Sequence, residues 1–236
     1  MAPRIDRSEG GIPIVQYEAR ERAFEPDFGD PETIEAVSAH VERHLGRIGV
    51  VFHEIVSDLV HIDLLHVPPT RERPFHTLVT CGMSTRPMNV PEDAEELRYA
   101  ELMLSLPPDW PLDQQAWRHE EHYWPIRWLK ILARFPHEYE TWLGPWHTVP
   151  NGDPPEPCAS GTELSGFLIA PSTTVPDAFH TLEISPERRI QFYAIVPLHA
   201  DEMDLKLRHG TEALLQALNR AAVEEVVDPK RSSAAR

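Results

Sequence analysis

The sequence predicts an α+β or mixed α/β domain, with a substantially antiparallel or mixed sheet packed by helices. Two observations lead there. Three apolar, β-like runs lie between residues 49 and 81, joined by turns too short for a crossover helix. Segments of helical periodicity flank them, with no repeating βαβ unit and no internal repeat.

Residues 1–28 are polar, carry mixed charge and show no sustained period. They read as an N-terminal arm that touches the domain only through Ile12, Ile14, Val15 and Tyr17. The first firm element is a helix over 31–45. Asp30 is suited to cap it, Pro31 to its first position and Glu32 to the positive end of its dipole. Ile34, Val37, Val41 and Leu45 then recur at helical spacing, and Gly46 supplies the stop.

Strands are expected over 49–55, 59–67 and 75–81. In the second, Val60, Ile62 and Leu64 alternate with His61 and Asp63. Ser57-Asp58 and the proline-containing stretch 68–74 are the turns, so the three form an antiparallel meander. A fourth run, 99–106, follows the acidic stretch 92–96 and ends at Pro107-Pro108.

The middle third is helical. Asp113 is placed to cap a short helix running through Trp117 and His122. Trp124-Pro125 predicts a break, because proline suits a new first turn. Ile126, Leu129, Leu132 and Ala133 give the next helix its apolar face, and Phe135-Pro136 ends it. A loop carrying Pro145, Pro150, Pro154, Pro155 and Pro157 follows. Such a loop is ordered in advance and loses little entropy on binding.

Further strands are expected near 164–170, 181–184 and 189–198. A last helix starts at Asp201, with Met203, Leu207, Leu214 and Leu218 on one face and Gly210 as a kink. Residues 228–236 read as a frayed, flexible tail. The chain is thereby divided into an arm (1–28), one domain (29–227) and a tail (228–236).

The 236 residues suffice for one core without disulfide or metal. The net charge of −16 excludes a general nucleic-acid binder and opposes an anionic membrane surface, and it suits a basic protein partner. Cys81 and Cys158 stand apart and form no CxxC pair. The N-terminus lacks the apolar core of a signal peptide, and no apolar run approaches bilayer length. These features predict a cytoplasmic, reduced protein. The 24 prolines, about twice the usual ~5% share, punctuate short elements.

Common catalytic and cofactor signatures are absent: there is no GxSxG, GxxxxGK, GxGxxG or HExxH. No cofactor and no catalytic residue is therefore assigned. The nearest approach to a metal site is His53, His61, Asp63 and His76 on expected neighbouring strands, the set a metal-assisted hydrolase would use. Histidine is equally at home on a half-buried sheet face. Cys81, beside Thr80 and Gly82, is a nucleophile only if a histidine approaches it, and otherwise a small buried hydrophobe. Six tryptophans fall between Trp110 and Trp146. Most suit an aromatic core lobe. Trp146, in the proline loop beside His147, is the one placed to line a groove.

Several segments together resemble a known family: 80–84 (TCGMS), 86–91 (RPMNVP), 98–102 (RYAEL), 123–127 (YWPIR), 135–139 (FPHEY), 146–157 (WHTVPNGDPPEP) and 192–198 (FYAIVPL). In this order they are similar to the bacterial members of the suppressor-of-fused family, over roughly residues 30–229. The resemblance implies a mixed α/β domain without known catalytic activity. Animal members regulate Hedgehog signalling by gripping a short segment of a transcription factor, and bacterial members are commonly predicted to be immunity proteins that neutralise polymorphic toxins. It also implies a partner-binding region at Trp146 and His147, extending here to Asn151 and Asp153. Two features depart from the animal pattern. Leu143-Gly144-Pro145 stands where an acidic residue precedes the Trp-His pair, and the second, C-terminal domain that closes over the peptide has no counterpart. The expected function is a non-enzymatic protein-binding module, an immunity protein with a basic toxin domain as partner. The alternatives are the metal-assisted hydrolase and a scaffold subunit needing a large apolar patch.

Overall fold

The computed structural model describes residues 3–18 and 21–236. Residues 1, 2, 19 and 20 of the expected arm lie outside the described residues. Ten strands are named in chain order: β1 (Arg4–Arg7), β2 (Pro13–Gln16), β3 (Val50–Phe52), β4 (Asp63–Val67), β5 (His76–Cys81), β6 (Ala100–Leu106), β7 (Thr148–Pro150), β8 (Leu164–Pro171), β9 (Thr181–Ser185) and β10 (Arg188–His199). Four helices accompany them: α1 (Pro31–Leu45), α2 (Glu120–Glu138), α3 (Ala200–His209) and α4 (Thr211–Arg220).

The main sheet has the order β3-β4-β5-β6-β10-β8-β7, with β9 paired to β10. The expected meander is present as β3 to β5, and β6 extends it, each pair antiparallel. Only β10 against β6 is parallel, which makes the sheet mixed. Helices cover both faces, so the central strands read as continuous apolar runs rather than strict alternation. Leu64, Leu78, Leu102 and Phe167 pack under α2 with Trp124, Trp128, Leu129 and Leu132. Their neighbours Leu65, Val79 and Met103 face the other way and meet Val37, Val41 and Leu45 of α1. On that second face, α3 and α4 cover Leu168, Ala170 and Leu198.

The cap on α1 forms as the sequence predicts, with Asp30 accepting from the Thr33 backbone N–H. Elsewhere the structure corrects local expectations. α2 is one helix running through Pro125 and Pro136. Pro125 lacks the N–H that the Glu121 carbonyl would accept, but the burial of Trp124, Trp128, Leu129 and Leu132 outweighs that loss. Asp113 does cap, accepting from the Gln115 and Ala116 amides at 2.8 and 2.9 Å, yet the capped element is a single 3₁₀ turn, Ala116–Arg118. Gly210, at φ 88°, separates two helices instead of kinking one. β4 begins at Asp63 rather than at 59, because residues 53–62 are drawn into a loop bonded to its own carboxylates.

The described part of the arm, and the tail, are held by contacts that periodicity does not reveal. Within the arm, β1 and β2 form an antiparallel hairpin, whose Ser8 hydroxyl and Gly10 amide donate to the Leu207 carbonyl of α3 at 2.5 and 3.3 Å. The expectation of a frayed tail fails at Arg231. Its guanidinium meets both oxygens of the buried Glu202 at 2.6 Å and the Pro197 carbonyl at 2.9 Å. The Ser233 hydroxyl donates to Asp201, and the Ala234 amide to Glu202. A buried carboxylate needs these donors, and the tail supplies them.

Candidate functional site

Trp146 stands just before the edge strand β7. It is 38% exposed, the most of any tryptophan among the described residues. Its backbone lies in the left-handed region at φ 71°, which costs a bulky residue roughly 1–2 kcal/mol. Two bonds hold it there. The Trp146 amide donates to the Ile169 carbonyl at 2.6 Å, and the Lys206 ammonium of α3 donates to the Trp146 carbonyl at 2.5 Å. Lys206 also reaches the Thr148 hydroxyl at 3.2 Å. Lys206 is buried, and that burial pulls its amine down to about 8. The sequence offers little sign of this residue, because a lysine late in a helix is what the helix dipole favours anyway.

The other three predicted residues serve the loop differently. The His147 ring turns back against Trp142, centroids 4.4 Å apart. Burial, then the charge of Lys206, lowers the His147 imidazole, so it is neutral at physiological pH. Asn151 is committed to the loop itself, donating to the Glu156 and Pro157 carbonyls at 2.9 and 3.1 Å. Asp153 is exposed and accepts from the Gln16 amide of β2 at 3.3 Å. The loop therefore offers Trp146 and Asp153 outward, on a frame made by His147 and Asn151.

The metal-ligand expectation is corrected. His53 donates from Nδ1 to Asp63 at 2.8 Å, and His61 Nε2 lies 3.0 Å from the same carboxylate. His76 is elsewhere, paired with His66 at 2.8 Å. The register explains the split: Asp63 faces Cys81 across β4 and β5, while His76 is at the other end of β5 opposite Leu106. Among the described residues, no group of three or more His, Cys, Asp and Glu is placed to hold a metal ion. Cys81 is buried, and burial pushes its thiol well above the usual range, which opposes a nucleophilic role.

Two of the family-like segments, 80–84 and 98–102, meet at a buried acid. Glu101, in the core of β6, accepts from the Thr80 hydroxyl at 2.6 Å, the Gly82 and Ser84 amides at 2.9 and 3.0 Å, and the Ser84 hydroxyl at 2.7 Å. No cation is among these partners. Burial raises its carboxyl above the usual range despite those four donors. Gly82, at φ 130°, is required here, since a Cβ would lie 1.8 Å from the His61 carbonyl oxygen. This turn leads to Arg86, which reaches Glu25 at 2.6 Å in the segment preceding α1.

That segment borders a second surface, which sequence reasoning missed. Phe24, Phe28, Ile55 and Val56 are 59%, 87%, 97% and 71% exposed. They rim one cavity of about 320 Å³, at the corner next to the other edge strand, β3. A wider groove of about 860 Å³ continues from Phe24 past Leu59, Arg86 and His137. The available signal was the adjacent pair Ile55-Val56 between the polar residues Glu54 and Ser57, where an expected strand should have turned.

The family model described as Suppressor of fused protein (SUFU) matches residues 58–232. No curated protein matches in sequence. Among solved structures, a SUFU homologue from Neisseria gonorrhoeae FA 1090 is similar at 17% identity, covering 87% of this chain and 98% of its own, with a TM-score of 0.61. A chain of the Sufu–Fu complex is similar at 14% identity over 86% of this chain and 92% of its own, TM-score 0.60. Drosophila Suppressor of Fused matches at 14% identity and TM-score 0.56; the alignment spans 90% of this chain and 52% of the fly protein.

Proposed function

The chain belongs to the suppressor-of-fused family, and we propose that it is a non-enzymatic binding module whose protein partner seats on the loop around Trp146. The observation that carries this reading is the Trp146 ring, held outward at a left-handed backbone position by Lys206 and the Ile169 carbonyl. A large ring presented on a pre-ordered frame is what a binding hot spot requires. Asp153 adds a carboxylate on the same loop, and the chain's −16 charge favours a cationic partner. That one solved relative is in a Sufu–Fu complex supports protein binding as the mode of action. The finer reading is that of an immunity protein, occupying the cationic cleft of a toxin domain in the cytoplasm. No helix among the described residues is long and apolar enough to cross a membrane.

The test starts from tagged protein incubated with lysate of its own host and washed at rising salt, with retained proteins identified by mass spectrometry. A single stoichiometric basic protein, released only at high salt, is the expected result. Titration of that protein against Trp146→Ala then places the site. A loss of at least ~2 kcal/mol is expected for a buried aromatic anchor. Unchanged affinity with intact folding would move the site off this loop.

A further inference from the structure

We infer that the corner formed by Phe24, Phe28, Ile55 and Val56 is a second docking surface, and that its occupant is a cationic protein segment in which an arginine or lysine is flanked by large apolar residues. The inference rests on the reading that the chain binds protein, and assigns a surface remote in sequence from Trp146.

The exposure of these four side chains is built in. Ile55 and Val56 form the tip of a loop anchored on both flanks. Before them, the Glu54 amide donates to Asp63 at 3.0 Å, and its carboxylate is held by Arg134. After them, the Ser57 hydroxyl meets Glu54 and His61, both at 2.7 Å. Leu59, at φ 72°, donates its amide to the Glu25 carbonyl at 2.7 Å. The facing segment is tied just as closely. The Glu25 amide donates to Asp58 at 2.9 Å, Arg22 bridges Asp58 and Glu138, and Asp27 accepts from the Gly29 amide at 2.6 Å. Phe28 projects between Asp27 and Gly29, whose φ of 76° turns the chain toward the α1 cap. Apolar side chains on so firm a frame lose little entropy when covered. Isolated exposed apolar residues are ordinary, but four around one cavity are not.

Charge selects the occupant. The described residues that line the cavity include Asp27, Glu54, His61 and two phenylalanines, with no lysine or arginine. Arg86 reaches Asp27, and Arg134 and Lys130 reach Glu54, yet none of the three lines the cavity. A guanidinium or ammonium entering here meets two phenylalanines and no lining cation, on a chain of net charge −16, the combination that favours cations. A volume of about 320 Å³ suits a side chain or two rather than a folded element. A second copy of this chain would bring another −16 charge toward the same corner, which opposes self-association.

The experiment is peptide display. A random nine-residue library is selected on the whole protein and counter-selected on Phe28→Ser and Ile55→Ser. Both positions are exposed, so thermal melts should show folding intact. The expected survivors are positively charged, contain at least two large apolar residues, and bind either variant at least 10-fold more weakly. They should bind Trp146→Ala unchanged, so this surface stands or falls separately from the Trp146 loop. Survivors that are neutral or acidic, or peptides that bind both serine variants as well as the native protein, would overturn the inference. So would a native dimer that Ile55→Ser converts to monomer, since the occupant would then be a second copy.

Discussion

The two edges of the sheet are protected by opposite means. At the β7 edge, a lysine from α3, a histidine turned inward and an asparagine bonded to its own loop surround one exposed ring. At the β3 edge, a loop and a strap are tied by ion pairs and turn four apolar side chains outward. Both edge strands are only three residues long, so neither offers much backbone for accidental pairing. The difference lies in what is left for a partner. One edge presents a single exposed tryptophan on a polar frame, and the other presents an apolar rim beside Asp27 and Glu54. The same contrast recurs in the core, where Glu202 near the β7 end is met by an arginine and Glu101 is met only by hydrogen bonds.

The largest effect is expected where the β7 side depends on the chain's last residues. Arg231→Met leaves Glu202 buried beside two amides and no cation. Removing one partner of a buried pair costs about 3–5 kcal/mol. Urea denaturation should show that loss, and deletion of residues 231–236 should match or exceed it. A loss under ~1 kcal/mol would mean that the tail lies on the domain without stabilising it.

Legibility follows the range of the interaction. α1 is readable to the residue because its cap, first proline, apolar face and stop are all local. The meander is readable because its turns are short. The parallel pairing of β10 with β6 is not, since nothing near either strand encodes a contact across some ninety intervening residues. The tail reads as frayed because Arg231 acts through Glu202 and the Pro197 carbonyl, 29 and 34 residues away and on other elements. Trp146 is legible as a candidate site residue from its loop setting and from the family pattern. Lys206 is not, because its role depends on the packing of α3 against β7. Ile55 and Val56 fall at the end of an expected strand, and only the carboxylate-bonded loop reveals them as a tip.

The two buried acids give the comparison a pH test. Glu101→Gln puts an amide N–H₂ against hydroxyl and amide donors, for an expected loss of about 1–3 kcal/mol. The pH dependences then run in opposite directions. Burial works against the charge of Glu202, but the bonds from Arg231, Ala234 and His199 hold its carboxyl below the usual range. Its stabilisation is present above the unfolded carboxyl value and disappears as pH falls through the lower folded value. Burial raises Glu101, so its contribution is fullest below the unfolded value and declines as pH rises through the higher folded one. Stability measured by urea from pH 3 to 8 should therefore show the native advantage over Glu202→Gln growing with pH, and that over Glu101→Gln shrinking. Parallel curves would mean that the two acids are not differently solvated.

Lys206 tests how the β7 frame is held. Its folded value of about 8 lies below the ordinary 10.5. Between those values the unfolded chain binds the extra proton, so native stability should rise with pH in that window. Lys206→Met should abolish the rise. Below pH 8 its cost should be only about 1 kcal/mol, because loss of the bonds to Trp146 and Thr148 is partly offset by removing a buried charge. A rise that persists in Lys206→Met would assign it to another group.

The smallest effects belong to the β3 corner. Phe28→Ser and Ile55→Ser remove side chains that are 87% and 97% exposed, so stability should change by no more than ~0.5 kcal/mol. Urea midpoints and slopes suffice to check this. A change of ~2 kcal/mol would show that these side chains are packed in solution, and the corner would then belong to the core. Near-neutral values would leave two large apolar groups that the fold does not need. Their exposure lowers solubility without raising stability, and a partner that covers them accounts for both facts.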